Sequence, residues 1–387
     1  MERVLTDFVF PNPDHVVWTI MIVLYPYITG LVAGAFVVAA LYHVFHKEEL
    51  KPVAKFALVA SFCFCAFATT PLLLHLHQPQ RALNIMMTPN FTSAMSGFGF
   101  IYSFYLILLS LEILLVFRQD ILALERSSKG VMKLVYKVLA LGVIHESPAS
   151  RALDSKAIHI LSMIGIPAAC VLHGYVGFIF GAIKANPWWS SAMMPIVFLI
   201  SAIVSGIAML VLLYMLACKV RKVEIDDECL RSMLRTLWLF LLLAFTLEEL
   251  DLANKAYEQG STWEVLQRLL GEKLPTSFTF VQNTLGAVTP ILLLPLAFRR
   301  HRSHWSRPIF ALIACSLVLI QVLAMRWNVV IGGQLFSKSF RGFIDYHPAW
   351  MGKEGLLAGI LVMTAPFVLL YIVSRILPIW LEDEAKA

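Results

Sequence analysis

Among the ionisable residues inside long apolar runs of this chain, Glu112, His173, Glu248, Glu249, Asp251 and Arg326 are the notable ones. An ionisable group placed in hydrocarbon costs roughly 2.5 to 3.5 kcal/mol or more unless it is partnered, so each marks a site of proton handling, ligand contact or helix-packing ion pairing. Glu248 and Asp251 stand three residues apart and therefore share one helical face. Two readings stand for them: an acidic proton-transfer cluster with Glu249 and Glu112, or packing contacts with Arg326 or Lys255. A buried arginine needs an anionic partner, and Glu248, Glu249 or Asp251 would give Arg326 a structural ion pair.

The stretch from His173 to Phe178 reads HGYVGF. An imidazole and a phenol can together donate and accept hydrogen bonds at a carbonyl or hydroxyl, which a quinone headgroup requires when two electrons move with two protons. The neighbouring glycines leave room for a flat ring. His173 and Tyr175 are accordingly the first candidates for a quinone contact; a histidine satisfied by backbone is the plain alternative. Tyr25 lies at the same depth in the first span, where an interfacial aromatic belt is the competing explanation. Arg81 follows a Pro-rich turn, HQPQR, and would orient a headgroup, dock an acidic partner or simply snorkel to the interface.

These residues must be positioned by membrane helices. Of the 387 residues, 59% are hydrophobic and 14% charged, against about 25% charged in an ordinary soluble domain. Nine runs reach the length of about 20 apolar residues that crosses a bilayer: 16–45, 53–76, 93–118, 156–183, 192–218, 233–256, 276–298, 308–330 and 354–378. The fold class is therefore an all-α integral membrane protein, whose spans would pack as two four-helix bundles, 16–183 and 184–330, followed by an external loop, 331–353, and a C-terminal helix, 354–387. Residues 119–155 suit a helix lying in the interface.

Lysine and arginine gather in alternate loops, with Lys129, Lys133 and Lys137, then Lys219, Arg221 and Lys222, then Arg299, Arg300, Arg302 and Arg307. Positive loops stay inside. The N-terminal tail, 1–15, is then external and retained, the C-terminus cytoplasmic, and segments 77–92, 184–191 and 332–352 lie outside. The net charge of +6 is a topology signal and gives no support to nucleic-acid binding. The six cysteines sit mostly in apolar runs and have no metal-site spacing, so no bound metal is expected in this chain.

Several motifs carry a resemblance: GLVAG at Gly30 to Gly34, QPQR at Gln78 to Arg81, MSGFGFIY at Met95 to Tyr102, then HGYVGF, ANPWW, PIVFLISAIVSG and RWNVVIGGQ. Over about residues 16–340 the chain resembles the NrfD/PsrC family of membrane subunits, nearest the longer HybB, DsrP and HmcC-type branch. That resemblance implies two four-helix bundles, a quinone, here menaquinone, bound as substrate near the external face of the first bundle, and no haem of its own. It also implies an external ferredoxin-like iron-sulfur partner with four cubane clusters, and multihaem cytochrome c, molybdoenzyme or hydrogenase subunits beyond it. The family tyrosine of the fourth helix falls on Tyr175. The first-span quinone ligands fall near Tyr25, where this chain has no His or Asn, and LGRP appears as LHQPQR with Pro79 and Arg81 retained.

Two other readings remain open from the residues. His43, His46, His75, His159 and His173 offer pairs for a membrane cytochrome b with a single haem, and the chain would otherwise serve as an anchor without its own quinone site. The partner is expected on the outer loops around 80–92, 186–190 and 332–350.

Overall fold

The computed structural model describes residues 15–142, 147–258, 260, 262–299, 306–337, 339–340 and 342–380. The tail before His15, Arg300, Arg302 and the C-terminal LEDEAKA segment, on which part of the topology reading rests, lie outside them. Among the described residues there is no β-strand, only one antiparallel bridge between Phe336 and Phe343.

Among the described residues, nine helical stretches are long and apolar enough to cross a membrane. The first is α1, Ile20–His43. The second breaks into α2, Lys51–Phe67, and α3, Thr70–His75, because Pro71 cannot donate into the preceding turn. After the short α4, Asn84–Met87, comes the third span, α5, Ala94–Val116. The interfacial segment forms two short helices instead of one, α6 at Arg118–Ser127 and α7 at Val131–Leu139. Ser147 then caps α8, Pro148–Gly181, by accepting from the Ser150 amide at 3.1 Å, with Pro148 in the first turn where it is tolerated. That start, eight residues before the sequence reading, makes a helix of about 50 Å. Its basic first turns project beyond the hydrocarbon.

The second half holds α9, Met194–Arg221; α10, Asp227–Glu258; the short α11, Trp263–Arg268; α12, Thr289–Phe298; α13, Ser306–Val330; and α14, Leu356–Ile376. A π-wound segment, Pro275–Val288, leads into α12 and completes the seventh span. Helices α1, α2, α5 and α8 pack on one another as one bundle, and α9, α10, α13 and the π-segment with α12 as the other. The last span, α14, lies against α2 and α1.

Small residues join the two bundles along α1 and α9. In lipid, where apolar side chains gain little by leaving one solvent for another, close backbone packing drives helix association. A methyl at Gly34 would fall 2.3 Å from the Ile203 carbonyl oxygen, and one at Gly206 would fall 2.6 Å from the Gly34 Cα. Only glycine fits this crossing.

Each end of the molecule is tied by its own loops. At the end holding 76–93, 182–193 and 331–355, Asn186 Nδ2 donates to the Gly333 carbonyl at 2.7 Å, and Gln334 bonds both the amide and the carbonyl of Trp18. Glu354 accepts from the Thr19 hydroxyl at 2.7 Å and pairs with His75 Nδ1 at 2.9 Å. Partial burial pushes the Glu354 carboxyl up, but the Thr19 and His75 hydrogen bonds and the nearby Lys353 outweigh it, holding the group below its ordinary range. At the opposite end, Lys55 pairs with Asp120 and Arg118 with Asp154, and Arg307 meets Asp227. The basic loops thus share the second end.

Candidate functional site

The first two turns of α5 gather side chains from three other elements. Tyr175 of α8 lays its hydroxyl against Gly97, where a methyl would fall 2.3 Å from the phenol oxygen. Tyr25 of α1 stands edge-on to Phe98, with ring centroids 5.2 Å apart. Ile85 of α4 covers Gly99. The hydroxyls of Tyr25 and Ser96 are buried without a hydrogen-bond partner, while Tyr175 is half-buried and bonds none of the described residues. Buried hydroxyls are ordinarily paired. Arg81 lies in the turn Pro79–Arg81 just before α4, exposed and unpaired among the described residues.

His173 belongs elsewhere. Two residues along a helix turn a side chain by about 200°, so His173 points away from Tyr175 and lines a small gap with Pro26, Gly30, Val176, Phe198 and Arg326. The gap admits no water-sized sphere. His173 and Tyr175, close in sequence, thus have different surroundings.

Arg326 is fully buried, yet no carboxylate pairs with it among the described residues. Its guanidinium lies 3.9 Å from the centre of the Phe198 ring and donates to Ser201 Oγ at 2.8 Å and the Phe198 carbonyl at 3.2 Å. A desolvated guanidinium over an aromatic face gains about 2 kcal/mol. In place of the expected structural ion pair stand this stack and neutral acceptors, the Met325 sulfur at 3.2 Å among them.

The acidic residues are occupied by other donors. Glu248 accepts from Gln282 Nε2 at 2.9 Å and Gln321 Nε2 at 3.4 Å, and Glu249 accepts from Asn283 Nδ2 at 3.1 Å. Asp251 accepts from Lys255 at 2.8 Å and from the Ser191 hydroxyl. Gln282 in turn accepts from Asn328 Nδ2 at 2.8 Å. Glu248, Asp251, Lys255, Gln282 and Asn328 line a cavity of about 60 Å³. A water needs about 10 to 15 Å³ by this measure and two to four polar partners, so water fits in this cavity beside Asp251 and Glu248. Glu112 stands apart in the first bundle, where the Ser162 hydroxyl donates to it.

Sequence reasoning missed Gln282, Gln321, Asn328 and Ser96. Uncharged amides inside an otherwise apolar span were the available signal, as in FVQNTLGAV. The π-winding that turns Gln282 and Asn283 toward α10 has a side-chain mark too: Thr284 and Thr289 each donate to the carbonyl five residues back. Such winding concentrates at functional sites.

The sequence matches the family model described as Polysulphide reductase, NrfD, over residues 9–338. The chain belongs to this family. It is 29% identical to a selenate reductase subunit of Mesobacillus selenatarsenatis, covering 89% of this chain and 83% of that one. It is 26% identical to Protein NrfD of Escherichia coli, over 83% and 96% of the two chains. The Hdr-like menaquinol oxidoreductase integral membrane subunit of Archaeoglobus fulgidus is 23% identical over 89% and 82%. The motifs of this sequence divide by role. GLVAG and ISAIVSG make the seam between bundles, and ANPWW with RWNVVIGGQ ties the loops at the end opposite the basic one. MSGFGFIY and HGYVGF meet at Gly97 and Tyr175.

Proposed function

We propose that this NrfD-family protein is the quinone-reactive membrane subunit of a respiratory oxidoreductase complex. The observation that carries the reading is the Tyr175 hydroxyl, half-buried against Gly97 at the outer end of the first bundle and bonded to none of the described residues. On the same turns of α5, Ser96 and the Tyr25 ring that meets Phe98 also carry buried hydroxyls without partners among the described residues. Donors and acceptors of this kind suit the two oxygens of a quinone ring. Oxidation of a quinol releases two electrons and two protons, so the phenol would hold a hydrogen bond to the ring oxygen as its proton leaves. Arg81, in the turn before α4, would orient the headgroup or an acidic partner. The relatives named for selenate reductase and menaquinol oxidoreductase support a subunit that works with catalytic partners, and menaquinone as the substrate.

The electrons pass to or from an external ferredoxin-like iron-sulfur subunit docked on the outer loops, with cytochrome c, molybdoenzyme or hydrogenase subunits further out. The basic end then faces the cytoplasm across the inner membrane. Asp251 and Glu248 with the cavity between them would carry protons in the second bundle, with Glu249 beside them and Glu112 acting separately in the first. The complex assembled with this subunit should oxidise a soluble menaquinol analogue and reduce its iron-sulfur partner. The same partner prepared without it should not. Equal quinol oxidation by both preparations would refute the reading.

A further inference from the structure

A groove of about 830 Å³ opens at the basic end of the molecule, remote from the tyrosines. That volume lies in the upper part of the range of small-molecule sites, about 300 to 1,000 Å³. Its walls are apolar, with Phe56, Leu124, Leu216 and Leu370 contributed by α2, α6, α9 and α14. Among the described residues its charged lining is two arginines, Arg221 and Arg375. Arg375 lies 5.0 Å from the centre of the Tyr371 ring and donates to that residue's hydroxyl at 3.0 Å, and Arg221 lies 5.1 Å from the centre of the Trp380 ring.

The depth of the rim follows from α7. Val131, Leu134 and Val138 repeat at helical spacing and are 62–77% exposed, while Lys133 and Lys137 flank them. An amphipathic helix with such a stripe lies in the headgroup region with its apolar face toward the acyl chains. Tyr136 of the same helix lines the groove and donates to the Ile376 carbonyl at 2.7 Å, so α7 and the groove's rim are fixed at one level.

We infer that this groove binds an anionic glycerophospholipid, with its phosphate between Arg221 and Arg375 and an acyl chain along the apolar walls. Neither contact depends on the quinone reading. A basic site at membrane level gains about 1 kcal/mol per arginine from anionic lipid, and a zwitterionic headgroup gains far less because its own ammonium opposes the cations.

The intact complex, extracted in mild detergent from membranes containing phosphatidylglycerol and phosphatidylethanolamine, tests this by native mass spectrometry. The wild-type complex should retain phosphatidylglycerol in preference to phosphatidylethanolamine. Changing Arg375→Gln and Arg221→Gln should each lower that retention by about fivefold. Leu216→Trp, which fills the groove and keeps both charges, should displace the lipid while the complex stays assembled. Equal retention of the two lipids by the wild type, or undiminished phosphatidylglycerol in all three variants, would overturn the inference. Should the arginine variants fail to assemble, Leu216→Trp alone decides between retention and loss.

Discussion

Replacing Tyr175 with Phe is expected to lower quinol turnover by about five- to more than a hundredfold, the kinetic equivalent of a lost buried hydrogen bond of roughly 1 to 3 kcal/mol. The yield of intact complex should not change. The substitution keeps the ring, which stands 5.4 Å from Phe178, and it removes only the hydroxyl. Because that hydroxyl bonds none of the described residues, its loss leaves no buried group of this chain newly unpaired. A packing role would therefore survive the change, and a role at the headgroup would not. Steady-state oxidation of a soluble quinol analogue, measured beside the amount of assembled complex, separates the two. Turnover at the wild-type rate would remove the phenol from the site.

Trp189→Ala should do the reverse, reducing assembled complex while leaving Tyr175 and its surroundings chemically intact. The Trp189 indole stacks on Trp18 at 5.0 Å, meets Phe180 edge-on at 5.7 Å and donates to the Val329 carbonyl at 2.6 Å. It also covers Gly333, where a methyl would come within 2.1 Å of the indole nitrogen. One side chain thus holds the N-terminal end of α1, the end of α8 and the end of α13. Truncating a buried tryptophan costs about 3 to 5 kcal/mol, a large part of a domain's net stability. The expected outcome is a lower melting temperature and poor recovery of the complex, with near-normal turnover per assembled molecule. Wild-type stability would show that the outer loops are held by other contacts.

The spans were legible in the sequence because lipid imposes a length and a composition that few other constraints imitate. Ends were less so: α8 starts at its Ser147 cap, a local hydrogen bond that hydropathy does not register. Site residues were legible by type and not by direction. His173 and Tyr175 looked like one pair because they are two positions apart, and the helical period sends them to opposite sides. Arg326 meets the Phe198 ring, the Ser201 hydroxyl and the Phe198 carbonyl, partners far away in sequence that no charge pattern marks. The acidic cluster likewise reads as one group along α10, whereas Glu248, Glu249 and Asp251 each take a different donor. The Gln282 and Asn283 pairings arise only where α10 meets the π-wound segment, while Asp251 bonds Lys255 of its own helix and Ser191.

The central claim is that quinone binds at the outer end of the first bundle, between α5 and α8. A menaquinone analogue carrying a photoreactive ring substituent, irradiated with the intact complex and followed by peptide mapping, tests it most directly. Label should appear on the segments Met95 to Tyr102 and His173 to Phe178, and excess menaquinol should suppress it. Label confined to the second bundle or to the basic end, suppressed by menaquinol in the same way, would contradict the account.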